Sequence, residues 1–223
     1  GWTDEGNNVW SGSTGADIAT NCVALDIKDE FGQPLVLTSV SSVLECEEMS
    51  GSWYAVSGTI YVHMPDDSEP VLNRVIPVRS NTIRFSGLKK HYHRNITFIG
   101  GSGGAFSARS GVEATVVIGV GSSYIGSYNS NGCEVNSGGL AIFIKSIAGQ
   151  NANDGFNYKG NLSGDSSGLC FVEVDCVGYS NMEPGTGNGS TAHDTVVGYR
   201  FNCDYTKNAG SQIGDTASAK TVN

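Results

Sequence analysis

Long apolar runs, proline and positive charge are all scarce in this sequence. No apolar run approaches the length that spans a bilayer, so membrane insertion is not expected. The 13 Lys and Arg residues stand against 22 Asp and Glu residues, which gives a net charge of −9. This balance argues against a nucleic-acid partner, because such partners are held mainly through neutralised phosphates. With 5 prolines, 31 glycines and 39% hydrophobic residues, the composition is that of a folded, turn-rich chain.

Paired metal-binding cysteines are also lacking. The six cysteines lie at positions 22, 46, 133, 170, 176 and 203, and none belongs to a CxxC pair. We therefore expect no metal site and no cofactor. Cys176 and Cys203 are interpreted as reduced thiols in the protein interior. A disulfide elsewhere, such as one between Cys22 and Cys46, is left open.

A short motif recurs between Arg94 and Tyr205. Its second residue falls at positions 98, 124, 147, 176 and 203, and each repeat contains short β-rich runs broken by Gly, Asn and Ser. A regular period of this length indicates stacked units, and the β-rich runs favour a parallel β-helix over a helical solenoid. The predicted interior ladder is Phe98, Tyr124, Ile147, Cys176 and Cys203.

Alternation within the repeats predicts which side chains face inward. In Phe171–Cys176 we expect Val172 to point inward and Glu173 to point outward. One coil later Arg200 is also expected to point outward, which would make Glu173 and Arg200 a surface ion pair. Lys145 breaks the inward rule, so either the register is shifted by one residue or that column is polar.

The predicted fold class is all-β, with two regions. Residues 1–70 form a small β-rich region that contains a hairpin at 52–63 and a short helix with Glu45 placed for a capping box. Residues 71–223 form the coils of the β-helix. The chain starts at Gly1 without an initiating Met, and no cap is recognisable after Ala217. We therefore expect a fragment or mature product whose coils continue beyond residue 223.

The candidate catalytic residues follow the turns of the last coils. They are Asp154, His193, Asp194 and Asp215. Equivalent positions on stacked coils lie about 5 Å apart, so these side chains could converge on one face. Two carboxylates suit glycoside hydrolysis, and a His beside a carboxylate suits proton abstraction in a lyase. The alternative is that Asp154 and Asp215 are turn residues that bind turn backbone groups.

The candidate substrate-binding residues are Asn157, Tyr158, Arg200 and Glu173. A basic cluster at 89–94 offers either a grip on acidic sugars or a solvated connection between strands. Because the chain is acidic overall, we expect a neutral glycan or a local basic site.

The repeated coils, the Asp154–Tyr158 block and the Asn188–Asp194 block resemble right-handed parallel β-helix proteins of the pectate-lyase-like superfamily. Among these the chain is most similar to bacteriophage tailspikes and related surface-polysaccharide depolymerases. The resemblance implies a homotrimer on a virion surface or outside the cell, acting on a bacterial surface polysaccharide. A calcium-binding aspartate cluster with a catalytic arginine, as in pectate lyases, is not recognisable.

Three functions follow from these observations. The first is a polysaccharide hydrolase or lyase that uses the His193–Asp194 loop. The second is a non-catalytic glycan-binding or structural virion or adhesin domain. The third is a polysaccharide epimerase. Fold alone does not separate them, because function resides in the site.

Overall fold

The computed structural model describes residues 1–14, 19–71, 74–78, 90–109, 115–136, 139–160, 168–181 and 186–223, together with the backbone of 83–86. Lys89 of the predicted basic cluster and residues 182–185 lie outside this range. The chain forms two compact units, 1–80 and 81–223.

The first unit contains two small sheets and one helix. Its elements are β1 (Thr3–Gly6), β2 (Val9–Ser13), β3 (Asn21–Lys28), β4 (Pro34–Val36), β5 (Thr38–Ser39), α1 (Val43–Glu48), β6 (Ser52–Val56), β7 (Thr59–His63) and β8 (Val75–Val78). One sheet has the order β1-β2-β7-β6-β5 and the other the order β4-β3-β8. The last strand, β8, had been assigned to the solenoid by the sequence analysis, but it pairs antiparallel with β3 in the first unit.

The predicted hairpin and helix of the first unit are confirmed. Strands β6 and β7 pair antiparallel around Ser57 and Gly58, which both have positive φ, as a tight hairpin turn requires. Ser42 caps α1 by accepting the N–H of Glu45 at 3.1 Å, and the Glu45 carboxylate accepts the N–H of Ser41 at 2.8 Å. Trp53 is buried in the core of this unit, as expected of an aromatic residue that packs onto its sheet.

The second unit is a parallel β-solenoid of about four turns, as the repeats predict. Its strands are β9 (Ile83–Ser86), β10 (Lys90–Arg94), β11 (Thr97–Ile99), β12 (Phe106–Arg109), β13 (Thr115–Val120), β14 (Ser123–Ile125), β15 (Cys133–Asn136), β16 (Gly139–Ile144), β17 (Ile147–Gly149), β18 (Phe156–Lys159), β19 (Leu169–Val174), β20 (Val177–Tyr179), β21 (Ser190–His193), β22 (Val197–Phe201), β23 (Asp204–Thr206) and β24 (Lys220–Val222).

Three parallel sheets enclose the core of the solenoid. Sheet 1 is β10-β13-β16-β19-β22-β24, sheet 2 is β11-β14-β17-β20-β23, and sheet 3 is β9-β12-β15-β18-β21. Each coil contributes one strand to each sheet, so coil 1 is β10 to β12, coil 2 is β13 to β15, coil 3 is β16 to β18, and coil 4 is β19 to β21. Coil 5 comprises β22 and β23, and Ile213 adds an isolated parallel bridge to Ser190 of sheet 3.

The interior ladder of sheet 2 differs from the prediction in its last three coils. Phe98 pairs with Tyr124 as expected, but the next partners are Ala148, Gly178 and Tyr205. Four copies of the recurring motif contain a glycine, at positions 100, 126, 149 and 178, but these glycines have different backbone roles. Gly100 and Gly126 form left-handed turns, whereas Gly149 and Gly178 lie within strands. In coils 3 and 4 the left-handed turn position is occupied by Gln150 and Ser180.

The bend between sheets 1 and 2 explains the exception at Lys145. Equivalent residues of the five coils adopt φ between 50° and 58° there, and Lys145 is one of them. In coils 2 to 5 the next residue points inward, and these residues form a polar column of Ser122, Ser146, Cys176 and Cys203. In coil 1 the next residue is Ile96, which is exposed. Each side chain of the column donates to the carbonyl two residues before it, at 3.2 to 3.4 Å. Lys145 therefore breaks the inward pattern for both of the reasons that the sequence suggested. The inward register shifts by one residue at the bend, and the column of inward residues there is polar.

An asparagine ladder ties the coils together after sheet 2. Asn151, Asn181 and Asn208 occupy one position on successive coils. Each Oδ1 accepts the N–H of the equivalent residue in the coil before, and each Nδ2 donates to a carbonyl of that coil. Asn151 and Asn181 are fully buried, so these bonds satisfy turn groups that would otherwise be costly to bury.

Candidate functional site

The outer face of sheet 3 carries a row of polar side chains on successive coils. Arg109, Asn136, Lys159 and His193 are in register on β12, β15, β18 and β21. Apolar residues such as Phe106, Val135 and Tyr158 fill the other side of these strands and belong to the core. We call these four residues the sheet 3 row. Because adjacent parallel strands lie about 4.8 Å apart, the row places one polar group per coil along the axis. Arg109, Lys159 and His193 are half-buried, whereas Asn136 is buried.

A buried carboxylate, Glu134, contacts three of the four residues of the row. Glu134 is 1% exposed and accepts from Arg109 Nη2 at 2.7 Å and from Asn136 Nδ2 at 2.8 Å. Lys159 Nζ lies 3.7 Å from Glu134 Oε1, the carboxylate oxygen that also accepts from Asn136. Both cations remain about one third exposed. The charge of Glu134 is thus compensated, and the ends of Arg109 and Lys159 are left at the surface.

Asp154 lies in a second ladder, at the turn that enters sheet 3. Its N–H donates to Oδ1 of Asn131 at 3.2 Å, and its own Oδ1 accepts the N–H of Asn188 at 3.0 Å. The N–H of Ser211 continues the pattern by donating to Asn188 Oδ1 at 2.7 Å. Asp154 therefore occupies the position that asparagine occupies in the coils on either side, and it is 4% exposed. This is the turn role that the sequence analysis left open.

His193 is brought next to Asp154, as predicted, but through an intermediate residue. Asn157 Nδ2 donates to Asp154 Oδ2 at 2.6 Å and also lies 3.1 Å from His193 Nε2. Since an amide nitrogen can only donate, Nε2 is the acceptor and the ring is the neutral tautomer with its proton on Nδ1. Burial, followed by the charge of Lys159, holds the pKa of His193 below its usual value. The imidazole is therefore neutral at pH 7.

Asp215 is held at the C-terminal end of the solenoid by Arg200. The guanidinium donates to both carboxylate oxygens, at 2.9 Å and 2.8 Å, and Thr221 Oγ1 donates at 2.7 Å. The N–H of Ala192, next to His193, also donates to Asp215, at 2.9 Å. Burial raises the pKa of Asp215, but the bonds from Arg200 and Thr221 outweigh it and the net pKa is lowered.

The prediction that Glu173 and Arg200 point outward is wrong. Glu173 is 0% exposed and Arg200 is 4% exposed, and both lie on the inner face of sheet 1. Their closest charged atoms are 3.9 Å apart. Ser190 Oγ and Tyr205 Oη each donate to Glu173 at 2.7 Å. Burial raises the pKa of Glu173, and the charge of Arg200 opposes that rise.

Two other candidates occupy positions away from the sheet 3 row. Tyr158 points into the core, where its ring stacks on Phe171 with centroids 3.9 Å apart, so the chain folds with this side chain hidden from the surface. Asp194 is exposed, with φ of 58°, at the turn after β21. The described residues thus place His193 with Asn157 and Asp154, while Tyr158 lies inside the solenoid.

One group of side chains among the described residues could bind a metal ion, although its cysteines do not form a CxxC pair. A Glu173 carboxylate oxygen, Cys176 Sγ and Cys203 Sγ all lie within 4.8 Å of one another. Two thiolates and a carboxylate are ligands that zinc accepts. Both oxygens of Glu173 are, however, already occupied by Ser190 and Tyr205.

The outer face of sheet 1 is apolar across its four central strands, β13, β16, β19 and β22. Its central residues are Val116, Ile118, Val120, Leu140, Ile142, Ile144, Cys170, Val172, Val174, Val197, Tyr199 and Phe201. All of these are half-buried or exposed, with Phe201 at 51%. A contiguous apolar surface on a folded unit is a typical mark of an interaction site.

Sequence reasoning missed Arg109, Asn136 and Lys159, although the sequence contains a signal for Asn136 and Lys159. Three turns carry an Asx-Gly pair directly before sheet 3, at 131–132, 154–155 and 188–189. When the three sequences are aligned on these pairs, β15, β18 and β21 come into register. The fifth residue after each Asn or Asp is then Asn136, Lys159 or His193, which are the row residues of these strands. The recurring motif used to align the repeats lies in sheet 2, so it did not reveal the register of the sheet 3 strands.

The sequence matches no protein-family model, and neither a curated protein nor a solved structure shows significant similarity to it. No helix in the described part of the chain is long and apolar enough to cross a membrane. The fold alone therefore defines the class, and the second unit is a parallel β-solenoid.

Proposed function

We propose that the second unit recognises a bacterial surface polysaccharide along the outer face of sheet 3. The observation that carries this proposal is the sheet 3 row, in which Arg109, Asn136, Lys159 and His193 stand in register on four coils. A row of regularly spaced donors and acceptors suits a polymer that lies along the axis. The protein would meet such a glycan outside the cell or as part of a virion surface.

Unpaired polar atoms support binding at this face. Among the residues that the structure describes, Arg109 Nε, Asn136 Oδ1 and Asn157 Oδ1 have no hydrogen-bond partner. Buried polar atoms are normally satisfied, so each of them favours an additional partner. Because Asn136 and Asn157 are each 1% exposed, water is the partner that fits their amide oxygens, and such a water could in turn bind a sugar hydroxyl at the surface.

The hydrogen bonds of the carboxylates favour binding over hydrolysis. Asp154 and Asp215 are each held by several donors. A general acid must carry a proton near neutral pH, and the lowered pKa of Asp215 opposes this. Non-catalytic recognition is thus the function that the geometry supports best.

Cleavage by a lyase mechanism is the second candidate, and the neutral imidazole of His193 favours it. A neutral imidazole can accept a proton from a sugar carbon. The Asn157 amide would have to release Nε2 when substrate binds, because it now occupies that acceptor. Lys159, one coil before His193, would then lie near the acidic group of a uronic acid residue.

A glycan-binding experiment tests the proposal. The purified chain is titrated against capsular, O-antigen and exopolysaccharide preparations, and Lys159→Ala is expected to weaken binding by at least about tenfold because it removes a charged donor. Lys145→Ala is the matched control, since Lys145 is an exposed lysine at the bend between sheets 1 and 2. Equal affinity in the two variants would contradict binding at the sheet 3 row.

The same preparations separate binding from cleavage. Size-exclusion chromatography of the glycan after incubation reports depolymerisation, and ultraviolet absorbance of an unsaturated product reports a lyase. If cleavage occurs, His193→Ala is expected to abolish it while circular dichroism stays unchanged. An undegraded glycan that still binds supports the non-catalytic function.

The apolar face of sheet 1 supports a homotrimer. Its central residues carry no charge, so copies of this face can meet without burying an unpaired ion. Light scattering is expected to give a trimer mass for the wild type and a monomer mass for Ile142→Asp. Val177→Asp is the control, because Val177 is equally half-buried on sheet 2. A monomeric wild type would contradict the assembly without affecting the glycan proposal.

A further inference from the structure

Two cysteines face each other across the last two coils. Cys176 and Cys203 follow strands β19 and β22, and the pairs Val174–Phe201 and Val177–Asp204 fix the register on both sides. Adjacent parallel positions lie about 4.8 Å apart, within the Cα separation that disulfides span. Both Sγ atoms point inward and lie within 4.8 Å of each other.

We propose that Cys176 and Cys203 are a thiol oxidation site, which a low-molecular-weight disulfide such as oxidised glutathione converts into a reversible disulfide between coils 4 and 5. The proposal is independent of glycan binding. Side-chain rotation would close the pair, because the backbone already holds the two residues side by side.

The environments of the two thiols assign their roles. Cys203 is half-buried, so a small disulfide can reach its sulfur from the open end of coil 5. Cys176 is fully buried beneath it, so its sulfur is reached only from Cys203. Cys203 is therefore the attacking thiol and Cys176 the resolving thiol.

The reaction has two exchange steps. The Cys203 thiolate attacks one sulfur of glutathione disulfide, the S–S bond breaks, and one glutathione thiolate leaves. Cys176 then loses its proton, its sulfur attacks Cys203 Sγ of the mixed disulfide, and the second glutathione thiolate leaves. The protein pair loses two electrons and two protons, and these reduce the small disulfide to two glutathione thiols.

Oxidation of the full chain by glutathione disulfide tests the site. The chain is purified with reductant, freed of metal by a chelator and exposed to excess oxidised glutathione. Peptide mapping is expected to show a link between residues 176 and 203, with a rise of about 5–10 °C in the thermal midpoint because the link constrains the unfolded chain.

Three serine variants assign the two steps. Cys176→Ser is expected to retain a glutathione adduct on Cys203, and Cys203→Ser to leave Cys176 reduced. Cys170→Ser is the control, because Cys170 is half-buried on the outer face of sheet 1, and it should oxidise like the wild type. Circular dichroism of each variant reports that it is folded.

Three results would overturn the inference. A wild type that stays fully reduced in excess oxidised glutathione would do so, as would a link that joins other cysteines. Zinc that copurifies in stoichiometric amount and is lost in Cys203→Ser would instead identify Glu173, Cys176 and Cys203 as a metal site.

Discussion

Replacing Arg200 with methionine is expected to lower the free energy of unfolding by about 3–5 kcal/mol, because it strips one partner from a buried charge network. Asp215 would lose two hydrogen bonds, and Glu173 would lose the charge that opposes the rise of its pKa. Urea unfolding monitored by circular dichroism gives the measurement. Arg94→Met is the matched control, since Arg94 is exposed on the outer face of sheet 1.

The effect of Arg200→Met should depend on pH. The folded-state pKa of Asp215 is depressed, so its contribution to stability is present above the unfolded pKa and is lost as the pH falls through the folded value. The pKa of Glu173 is raised, so a variant without Arg200 loses stability as the pH rises. The difference between the two proteins is therefore expected to grow as the pH rises, first below the unfolded pKa of Asp215 and then above the unfolded pKa of Glu173. A difference that does not change with pH would contradict the network.

Asn181→Leu is expected to cost about 2–4 kcal/mol, because it leaves buried groups of two neighbouring coils without partners. Asn181 Oδ1 accepts from the backbone and side chain of Asn151, and its Nδ2 donates to Ala148 O at 3.2 Å and to Asn208 Oδ1 at 2.9 Å. Leucine has a similar volume, so the loss reports hydrogen bonds more than packing.

The same substitution at Asn153 provides the comparison for the ladder. Asn153 lies in the same turn region of coil 3 but is only half-buried, so Asn153→Leu should change the free energy of unfolding by less than about 1 kcal/mol. Chemical denaturation of both variants checks the pair. Equal losses would mean that the ladder at Asn181 adds nothing beyond an ordinary turn.

The fold could be predicted because it is repeated locally. The recurrence between Arg94 and Tyr205 and the Ser57-Gly58 turn both follow from short-range backbone preferences, which a sequence displays directly. The inward and outward faces of sheet 1 could not be assigned in the same way. Its strands carry Val and Ile on the outer face as well, so apolar residues do not mark which face is the interior. The charged residues were then the remaining guide to which side chains point outward.

The charged residues of sheet 1 gave the wrong orientation because the burial of an ion depends on its partners. Glu173 and Arg200 were assigned to the surface on the general rule that charged residues are rarely buried. That rule fails where partners from other coils converge, as Ser190, Tyr205 and Asp215 do here. Those partners lie up to 32 residues away in sequence, and only the coil register brings them together.

The candidate site was predicted in part. His193 and Asp154 were expected to converge, and Asn157 does connect them. Tyr158 was expected at the substrate, but one residue along a strand reverses the direction of the side chain. Lys159, one residue further on, is the side chain that reaches the outer face.

The stacking of the coils also determines how the solenoid would respond to mechanical load. The hydrogen bonds of all three sheets run along its axis, so a pull along that axis stretches the bonds between two neighbouring coils together. Coils 1 to 4 are joined by full strand ladders in all three sheets, whereas coil 5 joins sheet 3 through one bridged pair, Ser190 and Ile213, and a few backbone hydrogen bonds beside it. The sheet 3 ladder that resists such a pull is therefore shortest between coils 4 and 5, where the bonds between Arg200 and Asp215 add side-chain contacts.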